Sequence, residues 1–175
     1  MNDLLFALPP PRVAIADRAE HFPVGRIFCV GRNYAAHARE MGADPKSEPP
    51  IFFMKPASAA VSAPDRLSFP ADTADLHHEV EFVLALHRGG VDIDEADALG
   101  HVFGYAVGVD LTKRDRQAEA KTKGQPWERA KAFDASAPLS AIQPASAIGH
   151  PKRARISLSI DARLRQDADI ADMIW

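Results

Sequence analysis

Between Leu76 and Leu86 the chain alternates, with apolar residues at Leu76, Val80, Phe82, Leu84 and Leu86 and polar ones at His77, Glu79 and Glu81. Neighbouring side chains on a β-strand point to opposite faces, so this period of two predicts a strand whose faces meet different surroundings. Both glutamates then fall on one face, roughly 6.5 Å apart along the strand. Two carboxylates this close are costly to bury unless a cation lies between them. An isolated Glu-x-Glu is more often a solvated strand face, and the alternation alone does not separate the two readings.

The rest of the chain reads as short strands and short helices. Residues 1–25, broken by Pro9-Pro10-Pro11, are expected to form an extended N-terminal arm. A strand is predicted over Arg26–Val30, turned by Gly31-Arg32-Asn33 into a helix from Tyr34 to Met41 that Gly42 ends. The apolar run Ile51-Phe52-Phe53-Met54 lies between prolines and is too short for a helix, and another short strand is expected near Arg66–Phe69. A short helix opens at Asp92–Ala96, and a strand over Val102–Asp110 is interrupted by Gly104 and Gly108. Thr112 and Asp115 have the spacing of a capping box for a helix to Lys121, which Gly124-Gln125-Pro126 breaks. Arg155–Asp161 alternates again and predicts a last strand.

At 175 residues the chain fits one domain with a hydrophobic core, and its usage, 46% hydrophobic and 26% charged, is that of a globular protein. The 21 basic against 24 acidic residues leave a formal charge of -3, so no bulk attraction to nucleic acid or an anionic membrane is expected. No window approaches ~18 uninterrupted apolar residues, and the N-terminus does not read as a signal peptide. Cys29, the single cysteine, lies in the run Ile27-Phe28-Cys29-Val30 and reads as a small buried hydrophobe. A lone cysteine builds no intrachain disulfide, which favours a reducing, cytoplasmic setting.

Several residues carry chemistry in addition to the glutamates. Asp110 ends an apolar strand where a helix is about to start, which suits either a ligand aimed into a cleft or a helix cap. The oxygen-only pair Glu79 and Glu81 would suit Mg2+ or Mn2+, with Ca2+ a further candidate, over zinc. His77 and His78 lack a cysteine or third histidine at familiar zinc spacing. His37 and Glu40 lie three apart on the predicted helix, hence on one face, as an acid–base pair or a surface ion pair. Gly31-Arg32-Asn33 is too short for a phosphate-binding loop, and no serine nucleophile elbow is present.

Taken together, four blocks of motifs resemble the fumarylacetoacetate hydrolase family. These are Val30 to Glu40, Pro50 to Pro56, His78-Glu79-Val80-Glu81 with Gly104 to Asp115, and Ala130 to Asp134. The resemblance runs over residues 26–175, and the details at Leu76 to Glu81 and Gly124 to Trp127 are similar to the bacterial fumarylpyruvate hydrolases and acylpyruvases of that family. It implies a mixed α/β, mainly β architecture, a β-roll with short peripheral helices, usually in a homodimer. It implies that Glu79, Glu81 and Asp110 ligate a divalent metal, that His37 and Glu40 activate water, and that Lys131 binds substrate and offsets developing charge. Arg114 and Gln117 match substrate-contacting positions. Members of the family continue for several dozen residues past the segment resembling Arg165 to Trp175, with further strands and a Gly-Thr-Pro segment against the substrate.

The implied activity is cleavage of a 2,4-dioxo acid at C3–C4, fumarylpyruvate to fumarate and pyruvate being the first candidate. Such an acid can chelate the metal through its carboxylate and 2-oxo group. Oxaloacetate decarboxylation or oxo-acid tautomerisation would need the same enolate-stabilising site, and a homologue that binds oxo acids without turnover is the third possibility.

Overall fold

The structure, a computed structural model, describes residues 5–34, 49–62, 64 and 66–175. His37, Glu40 and most of the predicted helix Tyr34 to Met41 lie outside the described residues. Two antiparallel hairpins open the chain, β1 (Arg12–Ala14) with β2 (His21–Pro23), then β3 (Ile27–Gly31) with β4 (Ile51–Lys55). The elements that follow are β5 (Ala60–Ser62), β6 (Leu76–His77), β7 (Val80–Leu86) and the short α1 (Glu95–Ala98). Next come β8 (Val102–Val109), β9 (Thr112–Lys113), α2 (Arg114–Lys123) and α3 (Glu128–Lys131). The chain closes with β10 (Ala137–Leu139), β11 (Gln143–Pro144), α4 (Ala145–Ile148) and the hairpin of β12 (Arg155–Ile160) and β13 (Arg163–Asp169). This is the mixed, mainly β class expected, with short helices at its edges. No helix among the described residues is long and apolar enough to cross a membrane.

β8 is the spine. It pairs along one edge with β7, and along the other with β11 and β10, while β10 runs parallel to β5. The glycines expected to interrupt it instead let neighbours approach. A Cβ on Gly104 would overlap the backbone oxygen of Gln143, and one on Gly108 would come within 2.8 Å of Val83 and 2.9 Å of Leu139. Side chains there would push β10 and β11 off the spine, so the strand stays continuous because those positions lack them.

Among the described residues, two apolar clusters fill the interior. Val13, Ala60, Ala85, Ala106 and Ile142 form one, with Val83 and Phe103 packed on it. Val80, Ile156 and Ile170 form the other, with Tyr34, Phe82 and Met173. Within the segment expected to be an extended arm, Val13 is 1% exposed and the Ile142 N–H donates to the Ala14 carbonyl at 2.8 Å. Residues 12–23 are thus a hairpin in the core rather than a free arm, because Val13, Ile15 and Phe22 supply apolar area that the Pro-rich context hides from a periodicity reading.

Other local expectations are corrected in detail. Leu76 to Leu86 is two strands, not one, because β6 pairs with β9 and β7 with β8, and the partner changes at His78–Glu79. Its even-numbered face is buried only at its start. The β12–β13 hairpin covers Val80 and Phe82, whereas Leu84 and Leu86 are exposed and the odd residues Val83 and Ala85 face the first cluster. Arg66–Phe69 is not a strand; the nearby strand is β5, which has β10 as a ladder partner. The capping box does not form. Thr112 sits in β9 and turns its hydroxyl to Glu79, and Asp115 accepts from the Thr73 hydroxyl at 2.6 Å and the Ala74 N–H.

Candidate metal centre

The β7–β8 ladder sets Glu81 opposite Gly108, and one step further the Asp110 N–H donates to the Glu79 carbonyl at 2.7 Å. Glu79, Glu81 and Asp110 therefore lie at one end of the same ladder, close enough that the charges of Asp110 and Glu79 both act on Glu81. Asp110 is the most enclosed, 6% exposed.

Cations converge on this end from three elements. Lys131, at the end of α3 and 2% exposed, donates to Asp110 Oδ2 at 2.5 Å and to Glu79 Oε2 at 2.9 Å. Lys55, at the end of β4 and 1% exposed, pairs with Asp110 Oδ1 at 2.9 Å and donates to the carbonyls of Leu111 and Lys131. Arg114, the first residue of α2, reaches Glu79 Oε1 at 2.5 Å with Nη2 and the buried Gln117 Oε1 at 2.6 Å with Nη1. Thr112 Oγ1 lies 3.3 Å from both Glu79 Oε1 and the Asp110 carbonyl. The structure so brings together Glu79, Glu81, Asp110, Lys131, Arg114 and Gln117; His77 stands at the rim, half exposed, 3.0 Å from Asp75.

Three carboxylates meet three cations, but unevenly. Glu79 has two cations and Asp110 two, with Lys131 shared between them. Among the described residues no donor is paired with Glu81. Burial first, then Asp110 and Glu79, push its pKa from 4.5 up to about 8, against a smaller opposing effect of Lys131. Burial would raise Glu79 too, but Lys131 and Arg114 override it and hold that carboxyl below its ordinary value. The Lys55 ammonium is pushed down, mainly by burial, with Asp110 opposing. Asp110 Oδ1 is buried with Lys55 beside it as an ion pair, yet it accepts no aligned hydrogen bond.

These features fit a hard cation. Glu81, with no paired donor among the described residues, and the buried Asp110 beside it supply oxygen ligands whose mutual repulsion a divalent ion relieves. Among the described residues no three acidic, histidine or cysteine side chains close around one point. The Lys131 ammonium stands between Glu79 and Asp110 and pairs with both.

A pH dependence follows. Between about 4.5 and 8 the folded chain keeps a proton on Glu81 that the unfolded chain loses, so unfolding releases protons and stability falls as pH rises through that window. In EDTA the melting temperature is expected to drop from pH 5.5 to 8.5, and Glu81→Gln to flatten that drop. An unchanged slope in the variant would mean that Glu81 is not the group concerned.

Lys55 was not singled out from the sequence as a site residue. Its signal was present: a lysine directly after Ile51-Phe52-Phe53-Met54, at the end of a strand with no polar neighbour. Such a cation is buried only if a carboxylate meets it. Lys113 is a second such case, 6% exposed, paired with Asp72 at 2.6 Å and set over the Phe133 ring.

With this geometry in view, known proteins supply context. The fumarylacetoacetate (FAA) hydrolase C-terminal family model matches residues 26–175. The structure superimposes with a TM-score of 0.95 on a fumarylpyruvate hydrolase from Pseudomonas aeruginosa, solved in complex with Mn2+ and pyruvate. Identity is 49%, over 99% of this chain and 76% of that one. The oxaloacetate tautomerase YcgM of Escherichia coli is 42% identical over 87% of this chain and 70% of its own length. The human mitochondrial oxaloacetate tautomerase FAHD1 is 42% identical over 85% of this chain and 67% of its own.

Proposed function

The chain belongs to the fumarylacetoacetate hydrolase family, and from that premise we propose that it is a divalent-metal-dependent hydrolase of acylpyruvates, with fumarylpyruvate its first candidate substrate. The observation that carries this reading is the buried Lys131–Asp110–Lys55 array beside Glu81, which has no paired donor among the described residues. A divalent ion on Glu79, Glu81 and Asp110 would supply the charge that holds and polarises the carboxylate and 2-oxo end of the substrate. Mn2+ in the Pseudomonas aeruginosa structure supports Mn2+ or Mg2+ as the ion.

The remaining chemistry falls to this chain's own side chains. His37 takes a proton from water as its oxygen adds to the 4-carbonyl, and Glu40 orients the imidazole. The C3–C4 bond then breaks with its electron pair moving onto the pyruvate fragment as an enolate, whose charge Lys131 offsets. The proton held by His37 returns to C3, leaving pyruvate and the carboxylic acid of the acyl group. Arg114, hydrogen-bonded to Gln117 and Glu79, would meet a substrate carboxylate, since guanidinium is always charged and matches carboxylate geometry.

Turnover is to be followed as loss of acylpyruvate ultraviolet absorbance with Mn2+ or Mg2+ and again in EDTA. Activity that ignores EDTA would remove the metal from the reading. His37→Ala is expected to lower kcat by about a hundredfold or more while Mn2+ binding stays intact; wild-type turnover in that variant would remove the general base.

A second reading, oxaloacetate tautomerisation, is favoured by the 42% identity to the Escherichia coli and human tautomerases. It needs the same enolate-stabilising residues and no attacking water. Faster enol–keto interconversion of oxaloacetate than acylpyruvate cleavage, at equal enzyme, would decide for it.

A further inference from the structure

Among the described residues, the outer edge of β7 carries no paired strand at the point where the proposed ligands sit. Val80 faces Val109 across the ladder, and on either side of that pair the backbone bonds belong to Glu79 with Asp110 and to Glu81 with Gly108. In an antiparallel ladder this turns the Val80 N–H away from β8, into a buried region where an unpaired N–H is costly. The Gln166 side chain meets it. Gln166 Oε1 accepts from the Val80 N–H at 2.8 Å, reaching in from β13.

We propose that Gln166 is a positioning residue for the carboxylate pair, fixing through its side-chain carbonyl the backbone between Glu79 and Glu81. One peptide unit on either side of Val80 leads to a carboxylate, so rotation there would move Glu79 and Glu81 relative to Asp110, which the ladder and two lysines hold from the other strand. Gln166 is itself anchored. Ile156 and Ile170 pack on Val80 from the same hairpin region. Beyond it, the Trp175 N–H donates to Asn33 Oδ1 at 2.9 Å, Asn33 Nδ2 donates to the Trp175 carbonyl, and the Ile174 N–H donates to the Asn33 carbonyl at 2.7 Å. The segment 166–175 thereby joins the strand of the glutamates to Asn33, four residues before His37 in sequence. A hard cation is sensitive to small displacements of its oxygen ligands, so the effect of this bond is read in metal affinity.

The inference rests on the metal reading of the site, and the test separates the two. Protein stripped with EDTA is titrated with Mn2+ alone, free Mn2+ being read by electron paramagnetic resonance, with melting temperature and Val80 amide exchange as parallel readouts. Gln166→Met, of similar length and without an oxygen acceptor, is expected to weaken Mn2+ binding by about tenfold and to speed Val80 exchange. Gln166→Glu keeps an acceptor and is expected to retain both the protection and the affinity. Arg155→Ala removes the exposed ion pair with Asp167 on the same hairpin and is expected to change neither. Mn2+ affinity of Gln166→Met within about twofold of a tightly binding wild type, or Gln166→Glu weakened as much as Gln166→Met, would overturn the positioning role alone. A wild-type chain that binds no Mn2+ would overturn the metal reading and this role together.

Discussion

Asp110→Asn is expected to leave a folded chain that no longer retains a divalent ion and whose turnover is lower by about a hundred- to a thousandfold. Asp110 is the member of the carboxylate set least replaceable by solvent. It is 6% exposed and holds Lys55 on one oxygen and Lys131 on the other. Asparagine keeps the volume and one carbonyl oxygen but removes the charge that both ammonium groups face. Removing one partner of a buried ion pair costs about 3–5 kcal/mol because the remaining charge stays desolvated. The variant is expected near the lower end, since the amide oxygen still accepts from one lysine. Urea unfolding in EDTA measures that loss, and a Mn2+ titration measures the other. A variant with wild-type Mn2+ affinity would strike Asp110 from the ligand set.

Lys131→Met separates two roles that the geometry combines. The ammonium lies between Glu79 and Asp110 and over the Phe53 ring at 5.0 Å. Methionine preserves the length of the apolar stem and removes the charge that faces the carboxylates and that ring. Turnover is expected to fall by about a hundredfold, the usual cost of removing one charge stabiliser from an enolate or oxyanion. Thermal behaviour moves the other way on adding metal. Without Lys131 the metal-free carboxylates repel, so the variant melts lower in EDTA, and the rise in melting temperature on adding Mn2+ is larger than in wild type. An unchanged kcat would mean that Lys131 does not serve the substrate, and a smaller rise with Mn2+ that it does not compete with the ion.

Much of this site was legible along the chain, for reasons that differ by residue. Glu79 and Glu81 stood out because alternation is local, needing only the period of a strand. Lys131, Arg114 and Gln117 carry no local signal and follow from resemblance; in the structure Lys131 and Arg114 meet the carboxylates, and Gln117 holds Arg114. Lys55 was passed over because a lysine ending an apolar strand reads as a boundary until a carboxylate is seen to meet it. Gln166 had no signal of its own, since its partner is a backbone N–H 86 positions away. The expected capping box at Thr112 failed for a related reason. Thr112 had the right local spacing, but Glu79 from another strand took its hydroxyl.

Pattern alone determined the β-rich class, strands close to β3, β4, β8 and β12, the helix α2 with its stop at Gly124, and the adjacency of two carboxylates. Those follow from side-chain period and from backbone breakers, which act over a few residues. The tertiary structure alone decided that Asp110 stands beside Glu79, that Lys55 and Lys131 bracket it, that Glu81 has no paired donor among the described residues, and that residues 12–23 belong to the core. Each of these depends on which strand becomes the neighbour of which. That choice is made by long-range burial and by the small residues Gly104 and Gly108 admitting their neighbours, so no window of a few residues contains it.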